Sequence, residues 1–393
     1  MEIDEKGWLS QKHGLDSKLM DALVCRKNEF FCTVIEEVKS EYKVDFDEFD
    51  KSKLEEIELS KAIVRSLLRF EKNSILLGQA VSKHFNEIVN FDKKSMYYTL
   101  PYPIIHFPKD TSEAGPKHKD AYDDIPIFFT AWVPLNDYYD KPILIVEKSH
   151  LKKENFYLRH LRYRFKPLDL ILSPTKYNRT PDIKIGEYFA WNGYTDHSGL
   201  LNKTSGITSA LVFRFTNVPV YHERTLLLDE LDRVEPVEYD YNVREITKKF
   251  IGIFRKIYTI NSTYANSSKS YLELYIESTE LIQSWHLQEH EKEKLSFMLA
   301  LWAQRLEKVK DVSMFYLYSI SSRADSFYGL QYLIRKSIKN YSIEDTLQFI
   351  KMIQNKYSSQ QVNYAIKKAI NKNSTLLSKI DLENKQTNLL SWA

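Results

Sequence analysis

Between residues 93 and 222 the hydrophobic period changes, and that change limits the possible folds more than any other feature. The segments MYYTLPYPIIHF, IPIFFTAWVPL, KPILIVEKS, IKIGEYFAW and ITSALVFRFTNV are rich in β-branched and aromatic residues. Pro, Gly, Asn and Asp punctuate them, so this region reads as a β domain of many short strands. On either side the apolar residues recur at three- and four-residue spacings. They do so in LMDALVCRKNEFFCTVIEEVKS (19–40), in KLEEIELSKAIVRSLLRFEKNSILLGQAVSKHFNEIV (53–89) and, after about 240, in YNVREITKKFIGIFRKIYTI and IEDTLQFIKMIQNKY. That spacing marks helices with one buried face. The expected organisation is α+β. A helical segment (1–92) packs on a β core (93–222), which a basic, aromatic insertion (151–182) interrupts, and an all-α region (240–393) follows. Each amphipathic face needs a cover, so the C-terminal helices are also expected to form a layer on the outside of the core. The final stretch, DLENKQTNLLSWA, reads as a loosely held tail.

Composition narrows the function classes. Hydrophobic residues make up 43% and charged residues 28%, enough to bury a real core and too apolar for a disordered chain. Lys plus Arg is 56 against Asp plus Glu 53, a formal charge of +3 that gives no whole-molecule reason to bind nucleic acid or an anionic membrane. Cys25 and Cys32 are the only cysteines, too few for a disulfide framework or a cysteine-rich zinc site. Met1 to Ser10 has acidic residues and no apolar core, and no apolar run approaches the roughly 18 residues of a membrane span. The expected location is cytoplasmic.

Inside the β region lies Pro116-Lys117-His118-Lys119-Asp120. Residues two apart on an extended segment point to the same side, so His118 and Asp120 can address one metal ion. The best third donor is His197 in WNGYTDHSGLL. Two imidazoles and one carboxylate on one face leave three octahedral positions open, the arrangement suited to non-haem Fe(II). The plainer reading is an exposed loop in which His118 pairs with Asp120 or Asp123. Arg214 follows on the strand ALVFRF, where a basic side chain facing inward would bind a carboxylate such as that of 2-oxoglutarate. Facing outward, it would join a surface ion pair.

Six segments carry a family resemblance: PYPIIHFPKD (101–110), HKDAY (118–122), FFTAWVPLND (128–137), PILIVEKSH (142–150), IGEYFAWNGYTDHSG (185–199) and NKTSGITSALVFRF (202–215). In this order they resemble the phytanoyl-CoA-dioxygenase-like superfamily, most of all its bacterial branch in carbohydrate and aminoglycoside biosynthesis clusters. The resemblance spans residues 90–220 and implies a double-stranded β-helix, a cupin-like jelly-roll, with Fe(II) and 2-oxoglutarate. It places His118, Asp120 and His197 at the iron-ligand positions. One departure matters. Many relatives open the strand after the distal histidine with Thr-Arg-x-Ser, whereas this chain has Thr208-Ser209-Ala210-Leu211, with Ser209 at the arginine position. Alternation puts Arg214 on the opposite face from Ser209, so either a bulge re-aims Arg214 inward or another polar group serves. Arg214, the first basic side chain after Lys203, is expected to point inward onto the distal carboxylate of the co-substrate, with Tyr97, Tyr102 or His106 next in line.

Other candidates are Thr208 and Ser209 as minor hydrogen-bonding groups to the co-substrate, Asn136 and Trp132 on one pocket-lining face, and Tyr97, Tyr102 and His106 on the preceding strand. For Trp132, Tyr97, Tyr102 and His106, packing is the competing role. Ser149-His150 reads as a turn-shaping pair, and Asn202 as a group fixing the loop or the His197 tautomer. The insertion reads as a lid for an anionic substrate or as a solvated helix.

The leading expectation is an Fe(II)/2-oxoglutarate-dependent dioxygenase acting on a small polar metabolite, anionic or sugar-linked. The alternatives are a non-catalytic scaffold whose C-terminal helices bind a protein partner or a second copy, and a nucleic-acid demethylase, against which the near-neutral charge argues.

Overall fold

The computed structural model describes residues 2–11, 14–43, 53–89, 97–108, 117–120, 127–137, 143–151, 177–180, 182–216, 225–227, 242–264, 271–307, 333–334, 337–338 and 341–354. Most of the 151–182 insertion and the whole 381–393 tail lie outside the described residues. The chain divides into two compact units, Met1–Thr247 and Lys248–Ala393.

In the first unit a short helix, α1 (Glu2–Lys6), precedes three long ones: α2 (Ser17–Tyr42), α3 (Leu54–Arg69) and α4 (Lys72–Val89). Local chemistry bounds α2. The Asp16 carboxylate accepts from the Lys18 N–H at 2.9 Å, and Lys43, left-handed at φ 54°, donates its N–H to the Lys39 carbonyl. Glu55 and Glu56 in the first turn of α3 and Arg69 in its last complement the helix dipole.

The strands are β1 (Trp8–Gln11), β2 (Tyr97–Thr99), β3 (Tyr102–His106), β4 (Ile127–Pro134), β5 (Ile143–Val146), β6 (Tyr177–Arg179), β7 (Tyr188–Asn192), β8 (His197–Gly199), β9 (Thr208–Thr216) and β10 (Thr225–Leu227). They build two antiparallel sheets. One runs β1-β7-β4-β9-β2-β10, with β3 also on β9, and the other runs β6-β5-β8. A core cluster joins them, with Trp132, Phe189, Trp191, Ala210 and Val212 from the first sheet against Ile143 and Ile145 from the second.

β1 departs from the sequence reading, which had residues 1–92 as helical. Gly7 at φ 88° ends α1, and the next four residues pair with Tyr188–Trp191. A side chain at Gly7 would meet His150 Nδ1 at 2.5 Å and Thr195 Oγ1 at 2.8 Å. Glycine therefore serves both the turn and the close approach.

The opposite face of the large sheet carries the helices. α3 is buried along nearly all its length, so its polar side chains find partners within the fold. Lys61 pairs with Glu58 at 2.8 Å, while Arg65 and Arg69 donate to the carbonyls of Ile105 (3.3 Å) and Pro101 (3.1 Å) on and beside β3. Lys27 of α2 donates to the Leu135 carbonyl at 3.1 Å. Burial lowers its amine from the ordinary 10.5 to about 8.

In the second unit every described element is helical: α5 (Val243–Tyr264, whose first turn belongs to the first unit), α6 (Tyr271–Gln283), α7 (Glu289–Glu307) and α8 (Ile343–Gln354). Phe254 meets Trp302 edge-on with ring centroids 4.0 Å apart, Tyr275 meets Phe349 at 5.0 Å, and Lys249 pairs with Glu291 at 2.8 Å. No helix among the described residues is long and apolar enough to cross a membrane.

Two predictions follow from helix-on-sheet packing. A methyl group at Gly78 of α4 would sit 2.0 Å from the hydroxyl of Tyr98, a fully buried residue whose ring stacks on Phe213. Gly78→Ala should therefore lower stability by about 1–3 kcal/mol despite its better helix propensity. Tyr98→Phe, which removes a buried hydroxyl without a hydrogen bond, should recover part of that loss. Urea midpoints of the single and double variants test both. Between about pH 8 and 10.5 the unfolded chain holds a proton on Lys27 that the folded chain has released, so this residue makes stability rise with pH. The contribution is at most about 1.4 kcal/mol per pH unit, and Lys27→Met should flatten the rise in denaturation midpoints across that window.

Candidate metal centre

His118 and His197 face one another across an isolated antiparallel bridge, each N–H donating to the other's carbonyl at 2.9 Å. Directly opposed residues project to the same side, and the two imidazole centroids are 4.3 Å apart. Asp120, two residues after His118, turns to that side as alternation requires. Its Oδ1 lies 4.0 Å from His118 Nε2, and its Oδ2 lies 3.6 Å from His197 Nε2. The three potential donor atoms fall within 4.8 Å of one another. Donors about 2.1 Å from a shared octahedral ion would sit about 3 Å apart, so modest side-chain movement closes the set around one ion.

The tautomer fits as well. His197 Nδ1 lies 3.0 Å from the Thr195 carbonyl, an acceptor, so Nδ1 carries the proton and Nε2 offers its lone pair toward Asp120. Burial lowers the imidazole from 6.5 to about 4 and outweighs the opposing pull of the Asp120 carboxylate, so His197 is neutral at physiological pH. Burial on its own raises the Asp120 carboxyl. The Arg214 guanidinium, followed by His197, His118 and the Thr130 hydroxyl, reverses this and holds it well below the usual carboxylate range. The His118 side chain is 43% exposed while those of His197 and Asp120 are nearly covered, so the centre opens on the His118 side.

Asp120 is held by one row of the large sheet. Trp191 on β7, Thr130 on β4 and Arg214 on β9 are register partners across three neighbouring strands. Thr130 Oγ1 donates to Oδ2 at 2.6 Å, Trp191 Nε1 donates to Oδ2 at 3.0 Å, and Arg214 Nη2 approaches Oδ1 at 3.3 Å. Arg214 also lies over the Tyr102 ring, 5.8 Å from its centroid.

Arg214 thus faces inward without a bulge in β9; the register shift in this region is in β4, between Ile127 and Phe129. Ser209 is on the other face. Its N–H and its hydroxyl both donate to Asn136 Oδ1 at 2.9 Å, an arrangement that commits Asn136 to the junction of β4 and β9 instead of to a pocket. Thr208 is six positions from Arg214, about 20 Å along the strand, too far to share a small ligand with it. Its hydroxyl is buried without a hydrogen bond. Tyr102 packs at the edge of the core cluster and Trp132 within it. The His106 carbonyl accepts from Asn202 Nδ2, which also reaches the Gly206 carbonyl, so Asn202 fixes its own loop and Thr195 fixes the His197 tautomer. Ser149 shapes a turn: its hydroxyl donates to the Val146 carbonyl and accepts from the Asp196 N–H. Tyr97 opens β2.

Thr130, Trp191 and Thr195 were missed. A signal for Thr130 was present, because it stands two residues before Trp132 and must share its face.

No protein-family model matches the chain, and no curated protein matches it. Several solved structures do. A non-haem monooxygenase, ThoJ, in a nickel complex is 11% identical over 67% of this chain and 98% of its own, with a TM-score of 0.38. SnoN, a non-haem alpha-ketoglutarate-dependent epimerase from nogalamycin biosynthesis, is 12% identical over 62% and 94%, with a TM-score of 0.33. HygX from Streptomyces hygroscopicus, with nickel and 2-oxoglutarate bound, is 14% identical over 55% and 84%, also with a TM-score of 0.33. In this chain the donor geometry itself marks the candidate metal centre.

The two faces of β9 should separate cleanly in experiment. Ser209→Ala should cost about 1 kcal/mol of stability through the bond to Asn136. Calorimetric titration with Co(II) should give the wild-type affinity, because that hydroxyl points away from the donors.

Proposed function

We propose that the chain is a non-haem Fe(II)- and 2-oxoglutarate-dependent oxygenase, built on a double-stranded β-helix and hydroxylating a small polar metabolite such as a sugar-derived intermediate. The observation that carries this reading is the convergence of His118, Asp120 and His197 on one point beside an inward-facing arginine. When bound, Fe(II) with 2-oxoglutarate would activate dioxygen, releasing succinate and carbon dioxide as a substrate carbon is oxidised.

The chain's own groups have distinct roles in this reading. His118, Asp120 and His197 hold the metal on one face. The Thr195 carbonyl keeps the proton on Nδ1 of His197, so Nε2 stays a donor. Arg214, backed by the Tyr102 ring, offers its guanidinium to a co-substrate carboxylate, which a buried site must compensate. Trp132, Phe189 and Val212 exclude water from the inner side of the centre.

Metal analysis and succinate formation test the proposal together. The wild-type chain should hold about one Fe(II) and convert 2-oxoglutarate to succinate. Asp120→Ala should abolish both while leaving far-ultraviolet circular dichroism intact. Arg214→Ala should keep the metal and raise the apparent KM for 2-oxoglutarate about 10- to 100-fold, matching the loss of one charge-assisted pair. A chain that takes up no stoichiometric metal and consumes no 2-oxoglutarate would be a binding scaffold instead. Labelled dioxygen traced into the product separates hydroxylation from epimerisation or ring closure.

A further inference from the structure

We infer that Thr130 and Trp191 are positioning residues that lock the rotation of the Asp120 carboxylate by holding Oδ2, so that its orientation toward the donor set is fixed before any metal binds. The inference rests on the metal-centre reading above. A carboxylate oxygen offers about two lone-pair directions. Both directions of Oδ2 are engaged, by Thr130 Oγ1 at 2.6 Å and by Trp191 Nε1 at 3.0 Å. Oδ1 has a looser contact, Arg214 Nη2 at 3.3 Å, and lies 4.0 Å from His118 Nε2, while the held Oδ2 lies 3.6 Å from His197 Nε2, so the carboxylate is fixed with both oxygens toward the imidazoles.

The two donors are rigid. Thr130 has no solvent exposure, Trp191 is buried, and the two are directly opposed on β4 and β7, so sheet register aims both at the same atom. Trp191 also lies against the second ligand, its ring 4.8 Å from that of His197. One indole thereby fixes the spacing of two donors.

The functional consequence is preorganisation. A carboxylate free to rotate must be ordered when an ion binds, whereas one held by two rigid donors is ordered in advance, and the affinity gains by that difference. The short Thr130 bond also withdraws charge from the carboxylate, which makes Asp120 a weaker donor and the bound ion a stronger Lewis acid.

Co(II) loaded into the full-length chain tests this without turnover. Affinity is read by titration, and coordination by visible ligand-field absorption. Thr130→Val, nearly isosteric, should weaken Co(II) binding about 10- to 100-fold and alter the absorption bands. Thr130→Ser, which restores the hydroxyl, should return both toward wild type. Trp191→Phe keeps the ring against His197 and removes only the N–H, so it should shift the bands in the same direction and provides the decisive variant should Thr130→Val fail to fold. Unchanged affinity and bands in Thr130→Val, or in Trp191→Phe if it must stand in, would overturn the inference while leaving the metal centre in place. A wild-type chain that binds no Co(II) would overturn the metal-centre reading first, and this inference with it.

Discussion

A carboxylate taken out of water must be compensated, and Asp120 is compensated from three strands at once. Trp191, Thr130 and Arg214 form one row across β7, β4 and β9, and the row exists only while the registers of these strands agree. A slip of one residue in any of them would turn its member toward the helices and leave Asp120 short of a partner. The other face of the same strands carries Phe213, beside Gly78 of α4, and Ser209, bonded to Asn136. The sheet is thus a two-sided device, with one parity for the centre and the other for the fold.

Long elements could be read from the residues alone, because α2, α3 and α4 repeat their apolar spacing over many turns. The triad was within reach for a different reason: His118 and Asp120 are local, and His197 is a histidine beside a strand. Arg214 was expected to face inward and does; what sequence reading missed is the route. It required a bulge because it placed Ser209 inward, whereas Ser209 lies on the opposite face and β9 runs regularly through Arg214. Only the partners of β9 settle the matter, and strand partners are not written into a strand. Trp191 gave no sign of its role, and Thr130 only its shared face with Trp132, for a related reason. Inside apolar runs they resemble core residues, and their acceptor lies 10 and 71 positions away. β1 escaped notice because four residues carry too little period to compete with the helical texture around them.

Charge at the centre is balanced without an ion. Arg214 offsets Asp120, while burial keeps His197 neutral. Under the proposed function a divalent metal then introduces two positive charges, and 2-oxoglutarate, a dianion, cancels them. Were His197 to be protonated, that balance would be lost along with the donor. The burial that lowers its basicity therefore serves charge neutrality as well as ligation.

Gly7 gives the centre a dependence on distant chain. The Thr195 hydroxyl donates to the Gly7 carbonyl at 2.9 Å across 188 residues of sequence, and the Thr195 carbonyl in turn orients His197. The donors themselves meet across the 79 positions between His118 and His197, and the group that orients His197 is held from the far end of the first unit. Closure of that length is slow and entropically costly. An ion that binds only the closed form draws its affinity from the same event and stabilises the whole unit, not one loop. Under the proposed function, metal occupancy and global folding of the first unit are linked equilibria.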